Sequence, residues 1–391
     1  MTPDLWLSQY YEGEFFSGQF EHLKKFIHQL SLNKIAKSVI IVAGTNGKGE
    51  TSRCIAQIAG QHNISYGLWT SPHLVQVNER FVFCGEMVSD FELVECFCQL
   101  EDILIRESVQ LSYFEFLFVT FLILAKKRNL DTLILEVGLG GKLDAVNTLD
   151  GDYFVLTSLS RDHQELLGNT YKSILYEKLG VLRKKKLLYT ALELRYVKQM
   201  VSNECEKQEV KWIDLFEQKI LSTHNSFSQR NRTLAMRLMS DITGKNIAIQ
   251  TSEVNSCRRA LLKSRGVLFE LFSSHNIDGL RKLVHFLKDA KYNYDYILIS
   301  FSERSIIDLR VMTKILLNEY NKTPMLFYRF DHYKALKSST LEEITNDFGL
   351  EITDDKKFLQ NFSFKDGSKV LVTGSNYFLG HFMQTSKFTR L

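Results

Sequence analysis

The sequence predicts an α/β protein in two parts, each built on a mostly parallel sheet with helices on its faces. Three observations carry this. Short β-branched or aromatic runs alternate with longer amphipathic stretches. The first such run, Ser38-Val39-Ile40-Ile41, leads into a glycine-rich turn and then a helical stretch, Ser52–Ala59. A polar, irregular segment near Thr243–Asn255 then interrupts the alternation before a second strand–helix series begins. A chain of 391 residues suits two or three domains.

In chain order, strands are expected at Val39–Val42, Tyr66–Trp69, Thr132–Val137, Phe154–Ser158, Leu187–Thr190 and Lys211–Asp214. Helical stretches such as Phe91–Ile105 and Phe114–Lys126 lie between most of them. The second series has strands at Val267–Phe272, Tyr296–Ser300, Met325–Tyr328 and Val370–Thr373, which puts a boundary near residue 255. In such a sheet the functional loops lie at the carboxyl ends of the strands.

Hydrophobic residues at 45% and charged residues at 24% are those of a soluble globular chain. The net charge of +4 suits small anionic substrates and makes no case for nucleic acid. The basic run Arg183-Lys184-Lys185-Lys186 reads as a solvated face. None of the six cysteines is spaced as a zinc site, and Cys96 and Cys98 read as packing residues of a helix. Met1–Leu5 does not read as a signal peptide, and no apolar run approaches ~18 residues. A reducing cytoplasm, with no membrane association, is the expected setting.

The stretch Gly44-Thr45-Asn46-Gly47-Lys48-Gly49-Glu50-Thr51 carries the chemistry. Glycines after a strand let backbone N–H groups converge on an anion, and the helix that follows adds the positive end of its dipole. Lys48 supplies a point charge. The spacing departs from the usual P-loop: two residues, not four, separate Gly44 from Gly47, and Gly49 stands where a hydroxyl usually ligates Mg²⁺. A magnesium ligand must therefore come from elsewhere. Ser71, at the turn forced by Pro72, offers one hydroxyl, although a serine in a turn is more often structural. Glu136 is a carboxylate at the end of an apolar strand, followed by three glycines in five residues. Asp162 and His163 lie in a polar loop after the fourth strand, where His163 is either a metal ligand or structural. Lys178, on a predicted helix, reads by itself as ordinary surface charge.

Taken together, AGTNGKGET, WTSPHLVQVNERF, YFEF, LEVGLGGKLDAVN, TSLSRDHQELLGNT, YEKLG and VTGSNYFLG resemble the folylpolyglutamate synthase/dihydrofolate synthase family, a branch of the Mur ligase superfamily. They run in family order from residue 42 to residue 380, densely in the first part and more thinly in the second. The resemblance implies a P-loop-containing N-terminal domain with a mostly parallel sheet, over residues 1–255. It implies a smaller Rossmann-like α/β C-terminal domain, over 256–391, that serves glutamate ligation. It also implies a monomeric ATP-dependent ligase that adds L-glutamate to dihydropteroate or a reduced folate through an acyl phosphate.

By the same resemblance, Lys48 and the Gly44–Gly49 backbone hold the phosphates of ATP, with Asn231 and Arg265 as further nucleotide contacts. Ser71, Glu136 and His163 hold Mg²⁺. Lys178 matches a lysine that is carbamylated in the family. His275 and Ser375 are expected at glutamate, and Phe114 at the flat ring of the pteroate, where core packing is the competing reading. The chain departs from the family pattern at Glu50, where serine is usual, at Lys142, where arginine is usual, and at Phe272, where an aspartate is usual. A relative that binds without ligating, and a Mur-type ligase acting on another carboxylate, are the alternatives.

Overall fold

From Val39 onward strand β1 (Ala36–Ala43) is buried on both sides, which is why that part reads as an unbroken apolar run. Val39, Ile41 and Ala43 point into one hydrophobic cluster, whereas Ile40 and Val42 point into another. This period of two is what a strand gives when helices cover both faces of its sheet. The computed structural model describes residues 1–11, 20–222, 226–247, 259–355, 364–385 and 389–390. The chain divides into two units, Met1–Val254 and Asn255–Leu391. The boundary expected near residue 255, like Cys257, lies outside the described residues.

The first unit continues with β2 (Tyr66–Trp69), β3 (Phe81–Phe83), β4 (Glu86–Met87), β5 (Leu130–Glu136), β6 (Tyr153–Leu156), β7 (Leu187–Thr190) and β8 (Lys211–Asp214). Its sheet has the order β4-β3-β2-β5-β1-β6-β7-β8. All neighbours pair in parallel except β2 with β3 and β3 with β4. That short antiparallel edge was not expected from the sequence, since Phe81–Met87 is too brief and mixed to stand out from a loop. The helices are α1 (Pro3–Leu7), α2 (Phe20–Gln29), α3 (Lys48–Gln61), α4 (Asp90–Glu107), α5 (Tyr113–Lys126), α6 (Gln164–Leu167), α7 (Tyr171–Leu179), α8 (Arg195–Lys207) and α9 (Phe227–Thr243).

Helix α3 buries Cys54, Ile55, Ile58 and Ala59 in the same cluster as Leu234, Ala235, Leu238 and Met239 of α9. On the other face α5 contributes Phe116, Phe118 and Phe121, and Cys96 of α4 joins them. Cys98 is exposed, contrary to the packing role expected of it. Two residues along a helix turn a side chain by about 200°, so Cys96 and Cys98 cannot share a face.

The second unit has β9 (Arg259–Ser264), β10 (Val267–Ser273), β11 (Tyr296–Ser300), β12 (Met325–Tyr328), β13 (Glu351–Thr353), β14 (Lys369–Gly374) and β15 (Thr389–Arg390). The sheet order is β13-β12-β11-β14-β10-β9-β15. The run from β13 to β10 is parallel, and β9 joins it as the antiparallel partner of β10. Helices α10 (Ile277–Asp289), α11 (Ile306–Glu319), α12 (Ser338–Phe348) and α13 (Asn376–Thr385) complete it. Among the described residues, no helix is long and apolar enough to cross a membrane.

Candidate active site

Four loops leave the carboxyl ends of β1, β2, β5 and β6, which are adjacent in the sheet. The loop after β1 is bound tightly to the one after β6. Thr45 N–H donates to the Ser158 carbonyl at 3.0 Å, and Asn46 N–H donates to Ser158 Oγ at 2.9 Å. The Thr157 hydroxyl donates to the Asn46 carbonyl at 2.7 Å, and the Thr45 hydroxyl donates to the Ser160 carbonyl at 3.1 Å. Thr157, Ser158 and Ser160 thus form the bed on which the glycine loop lies. Sequence reasoning missed this role. Its trace is the density of hydroxyls in Thr157-Ser158-Leu159-Ser160 directly after an apolar strand.

Two glycines of the loop have steric reasons. A Cβ on Gly44 would lie 2.0 Å from Thr157 Oγ1. Gly47 has φ 89° and is the N-cap of α3, a left-handed position that glycine occupies without strain. Thr51 is fully buried beneath the loop, with its N–H bonded to the Gly47 carbonyl at 2.9 Å.

Gly49 faces Glu136. A Cβ there would lie 3.2 Å from Glu136 Oε2 and 3.4 Å from Oε1. The carboxylate therefore fills the space that a serine or threonine side chain would need after Lys48. Glu136 is buried at the end of β5, and its Oε2 accepts the Ser71 N–H at 3.1 Å. The structure thus brings Ser71 and Glu136 together at the first turn of α3. His163 caps α6 with φ 51°, and its ring is half-exposed with Nδ1 3.8 Å from Glu165 Oε1. Among the described residues no group of three or more His, Cys, Asp or Glu stands together as a metal cluster. Carboxylate and hydroxyl oxygens are hard donors that suit Mg²⁺, which keeps several of its ligands as water or phosphate oxygen. The pair Ser71 and Glu136 fits that ion as a partial ligand set.

Lys178 is not the surface lysine that its sequence suggests. It is 5% exposed on α7 and donates to the Gly44 carbonyl at 3.1 Å. Burial, with the Lys48 charge second, pulls its amine down to about 7. Lys48 folds back on its own loop and donates to the carbonyls of Gly44 at 3.2 Å and Thr45 at 3.4 Å. Asp144 lies under the loop after β5 and accepts from Leu139 N–H at 2.9 Å and Val146 N–H at 3.0 Å. Burial outweighs these bonds and the Lys48 charge, so its carboxyl is pushed up to about 6.

Phe114 opens α5 and packs edge-on against Trp69, with ring centroids 5.5 Å apart. Its ring also covers Gly138, where a Cβ would come within 2.7 Å of Phe114 Cζ. It is partly buried, so packing partner and wall of the site are one position.

Asn231 is fully buried on α9, not the exposed polar residue it resembles in isolation. Its Nδ2 donates to Glu50 Oε2 at 2.7 Å, and the Ser228 hydroxyl donates to Glu50 Oε1. Glu50 therefore turns away from the loop towards α9, so its charge does not face the glycine loop.

In the second unit, His275 and Ser375 follow β10 and β14, which pair in parallel with Ser273 opposite Gly374. The structure thus places both at the carboxyl end of this strand pair. Ser375 N–H donates to the Ser300 carbonyl at 3.0 Å, and its Oγ accepts from Phe378 N–H at 3.2 Å. Arg265, expected at the nucleotide rather than at glutamate, lies elsewhere in this unit. It sits at φ 46° in the turn between β9 and β10, at the opposite end of β10 from His275. The residue across from Phe272 is Arg259. Phe272 itself joins the hydrophobic core and packs against Phe286, so the position expected to carry an acid is apolar in fold as well as in sequence.

The fold and the site define a two-domain α/β protein with a short glycine-rich loop between β1 and α3 and a buried carboxylate beside it. Within that class the chain is similar to the dihydrofolate synthase/folylpolyglutamate synthases. It is 41% identical over 165 residues to the dihydrofolate synthase/folylpolyglutamate synthase of Buchnera aphidicola, a match that spans 42% of this chain and 40% of that relative's length. It is 29% identical over 385 residues to the Bacillus subtilis protein of that name, spanning 86% of this chain and 88% of the relative. Ligand-free bifunctional folylpolyglutamate synthase/dihydrofolate synthase from Yersinia pestis has the same fold, with a TM-score of 0.78 and 25% identity over 98% of this chain and 97% of that one. Escherichia coli FolC in complex with DHPP and ADP gives 0.80 and 22% over 98% and 97%. No family model matches the chain. These likenesses bear out the resemblance read from the sequence.

Proposed function

We propose that this protein is an ATP-dependent ligase that joins L-glutamate to the carboxylate of a pteroate or folate, in one or both of the dihydrofolate synthase and folylpolyglutamate synthase steps. The observation that carries the reading is Glu136 standing against Gly49. It places an acidic oxygen where a generic phosphate loop has a hydroxyl. The names of the relatives and the ligands of the Escherichia coli structure support it.

The reaction must bring a carboxylate to a γ-phosphate, and both are anionic. Lys48 and the N-terminal turn of α3 offset that repulsion. Ser71 and Glu136, with His163 as the third ligand the resemblance implies, would hold Mg²⁺, which supplies further positive charge to the phosphate oxygens. One oxygen of the substrate carboxylate bonds to the γ-phosphorus as its bond to ADP breaks. The neutral amine of glutamate then attacks the acyl carbon, the bond to phosphate breaks, and the amine proton is lost. Phe114 offers a flat apolar wall to a pterin ring. His275 and Ser375, on the second unit, would meet glutamate. Lys178, with its amine near neutrality at physiological pH, has the neutral form that carbamylation requires. The resulting anion would remove its repulsion with Lys48. The expected setting is the cytoplasm, and the expected state a monomer.

The test is incorporation of labelled glutamate by purified protein with ATP and Mg²⁺, offered dihydropteroate or tetrahydrofolate. Incorporation with one acceptor defines a single step, and with both a bifunctional enzyme. No incorporation with either sinks the reading and leaves a binding protein or a ligase for another carboxylate.

A further inference from the structure

We infer that Glu50 is a positioning residue for the phosphate loop, acting through Asn231. The inference rests on the ATP reading above. Two donors from α9 converge on this one carboxylate: the Ser228 hydroxyl on Oε1 and Asn231 Nδ2 on Oε2, the latter at 2.7 Å. A carboxylate only accepts, so it dictates that the Asn231 amide turns its nitrogen to α3. The amide then stands directly over the N-cap of that helix. A Cβ on Gly47 would lie 2.6 Å from both Nδ2 and Oδ1 of Asn231. Asn231 is fully buried, and its Oδ1 has no hydrogen-bond partner among the described residues.

An amide with one buried atom unsatisfied is held in place by the bond at its other end. That bond is the one to Glu50. The chain of contact therefore runs from the first turn of α3 to α9 and back to the glycine that sets the loop's left-handed turn. Gly47 has φ 89°, and its carbonyl takes the Thr51 N–H at 2.9 Å. Fixing this turn fixes the direction of the N–H groups and of Lys48, which follows Gly47 directly. Glu50 touches no reacting atom. A serine at this position is too short to reach both donors, so Glu50, Ser228 and Asn231 work as a set.

The experiment compares Glu50→Gln, Asn231→Ala and the double variant with the unaltered chain. ATP binding is measured by calorimetry, ATP turnover by steady-state kinetics, and backbone protection of residues 44–51 by hydrogen exchange. Glutamine keeps the size but presents an NH₂ group to one of the two donors. Glu50→Gln is expected to raise the Kd and KM for ATP by about 3- to 10-fold, with kcat falling less than twofold and the loop exchanging faster. Asn231→Ala is expected to match it, and the double variant to be no worse than the worse single one. Additive losses, or an unchanged KM and loop protection in Glu50→Gln, overturn the inference. If Glu50→Gln does not fold, Ser228→Ala removes one donor and is expected to raise KM about 2- to 3-fold, with no change again counting against the idea. Lys48→Ala separates the two readings. If it binds ATP as tightly as the unaltered chain, the ATP reading itself fails. If it loses ATP while Glu50→Gln does not, this inference fails alone.

Discussion

Lys48 and Lys178 direct their Nζ atoms to the same carbonyl oxygen, that of Gly44, at 3.2 and 3.1 Å. Two ammonium groups sharing one acceptor repel each other, and the one that is buried gives up its proton more readily. That is Lys178, at about 7. Removing the Lys48 charge leaves burial as the main cause and takes away the second. In Lys48→Met, the Lys178 amine is expected to titrate above its position in the unaltered chain, read by NMR of lysine labelled at Cε. No upward shift would mean that the two charges do not couple. The same variant is expected to lose ATP turnover by at least ~100-fold, because the loop then lacks its point charge.

Gly49 and Glu136 make a second pair with a steric consequence. A Cβ at 3.2 Å from a carboxylate oxygen needs that oxygen to give by a few tenths of an ångström. Glu136 is buried and held by Ser71 N–H, so it cannot give without breaking that bond. Gly49→Ala is therefore expected to cost ~10- to 100-fold in turnover, part of which is regained at higher Mg²⁺ concentration. Circular dichroism melting should stay within a few degrees, since alanine suits a helix better than glycine. Unaltered activity would remove Glu136 from the phosphate site.

Burial of Lys178 and Asp144 makes stability depend on pH in two windows with opposite signs. Lys178 is held at about 7 against an ordinary value of 10.5. Between these values the unfolded chain binds the proton and the folded chain does not, so stability rises with pH from about 7 towards 10.5. Asp144 is pushed up to about 6 from 3.8. Here the folded chain holds the proton that the unfolded chain has lost, so stability falls as pH rises from 3.8 to about 6. Lys178→Met is expected to flatten the alkaline rise, and Asp144→Asn the acid fall, in denaturant midpoints measured against pH. A Lys178→Met profile that still rises above neutrality would show that other groups cause it.

How much of this was legible in the sequence varies with the physics of each residue. The strands Tyr66–Trp69, Leu187–Thr190, Tyr296–Ser300 and Met325–Tyr328 begin and end as expected, because buried parallel strands are continuous apolar runs with abrupt polar ends. The glycine loop was legible because backbone geometry is written directly into glycine. What was hidden depends on contacts distant along the chain. Lys178 looks like any helical lysine until α7 is laid against Gly44, a contact 134 residues away. Glu50 looks harmful until α9 supplies Ser228 and Asn231. Arg265 was placed at the nucleotide only by the family resemblance, since by itself it reads as a surface residue. The reversal at Arg265-Gly266, two residues with φ 46° and 77°, sets it at the end of β10 opposite His275.

That reversal supplies a test within the second unit. His275 and Ser375 leave the carboxyl ends of the paired strands β10 and β14, where a parallel sheet collects its ligands. Arg265 precedes β10 by two residues and lies at the amino end of the same strand. A strand of seven residues spans more than ~20 Å at about 3.3 Å per residue, well beyond the reach of an arginine to a ligand at the far end. His275→Ala and Ser375→Ala are each expected to lower kcat/KM for glutamate by ~10-fold or more, since each removes a polar partner from a desolvated site. Arg265→Ala is expected to leave glutamate kinetics within about twofold, as an exposed turn residue does. Steady-state kinetics on the three variants reads the contrast directly. A loss in Arg265→Ala equal to that in His275→Ala would mean that the turn reaches the site in the working enzyme, against the register of β9 and β10.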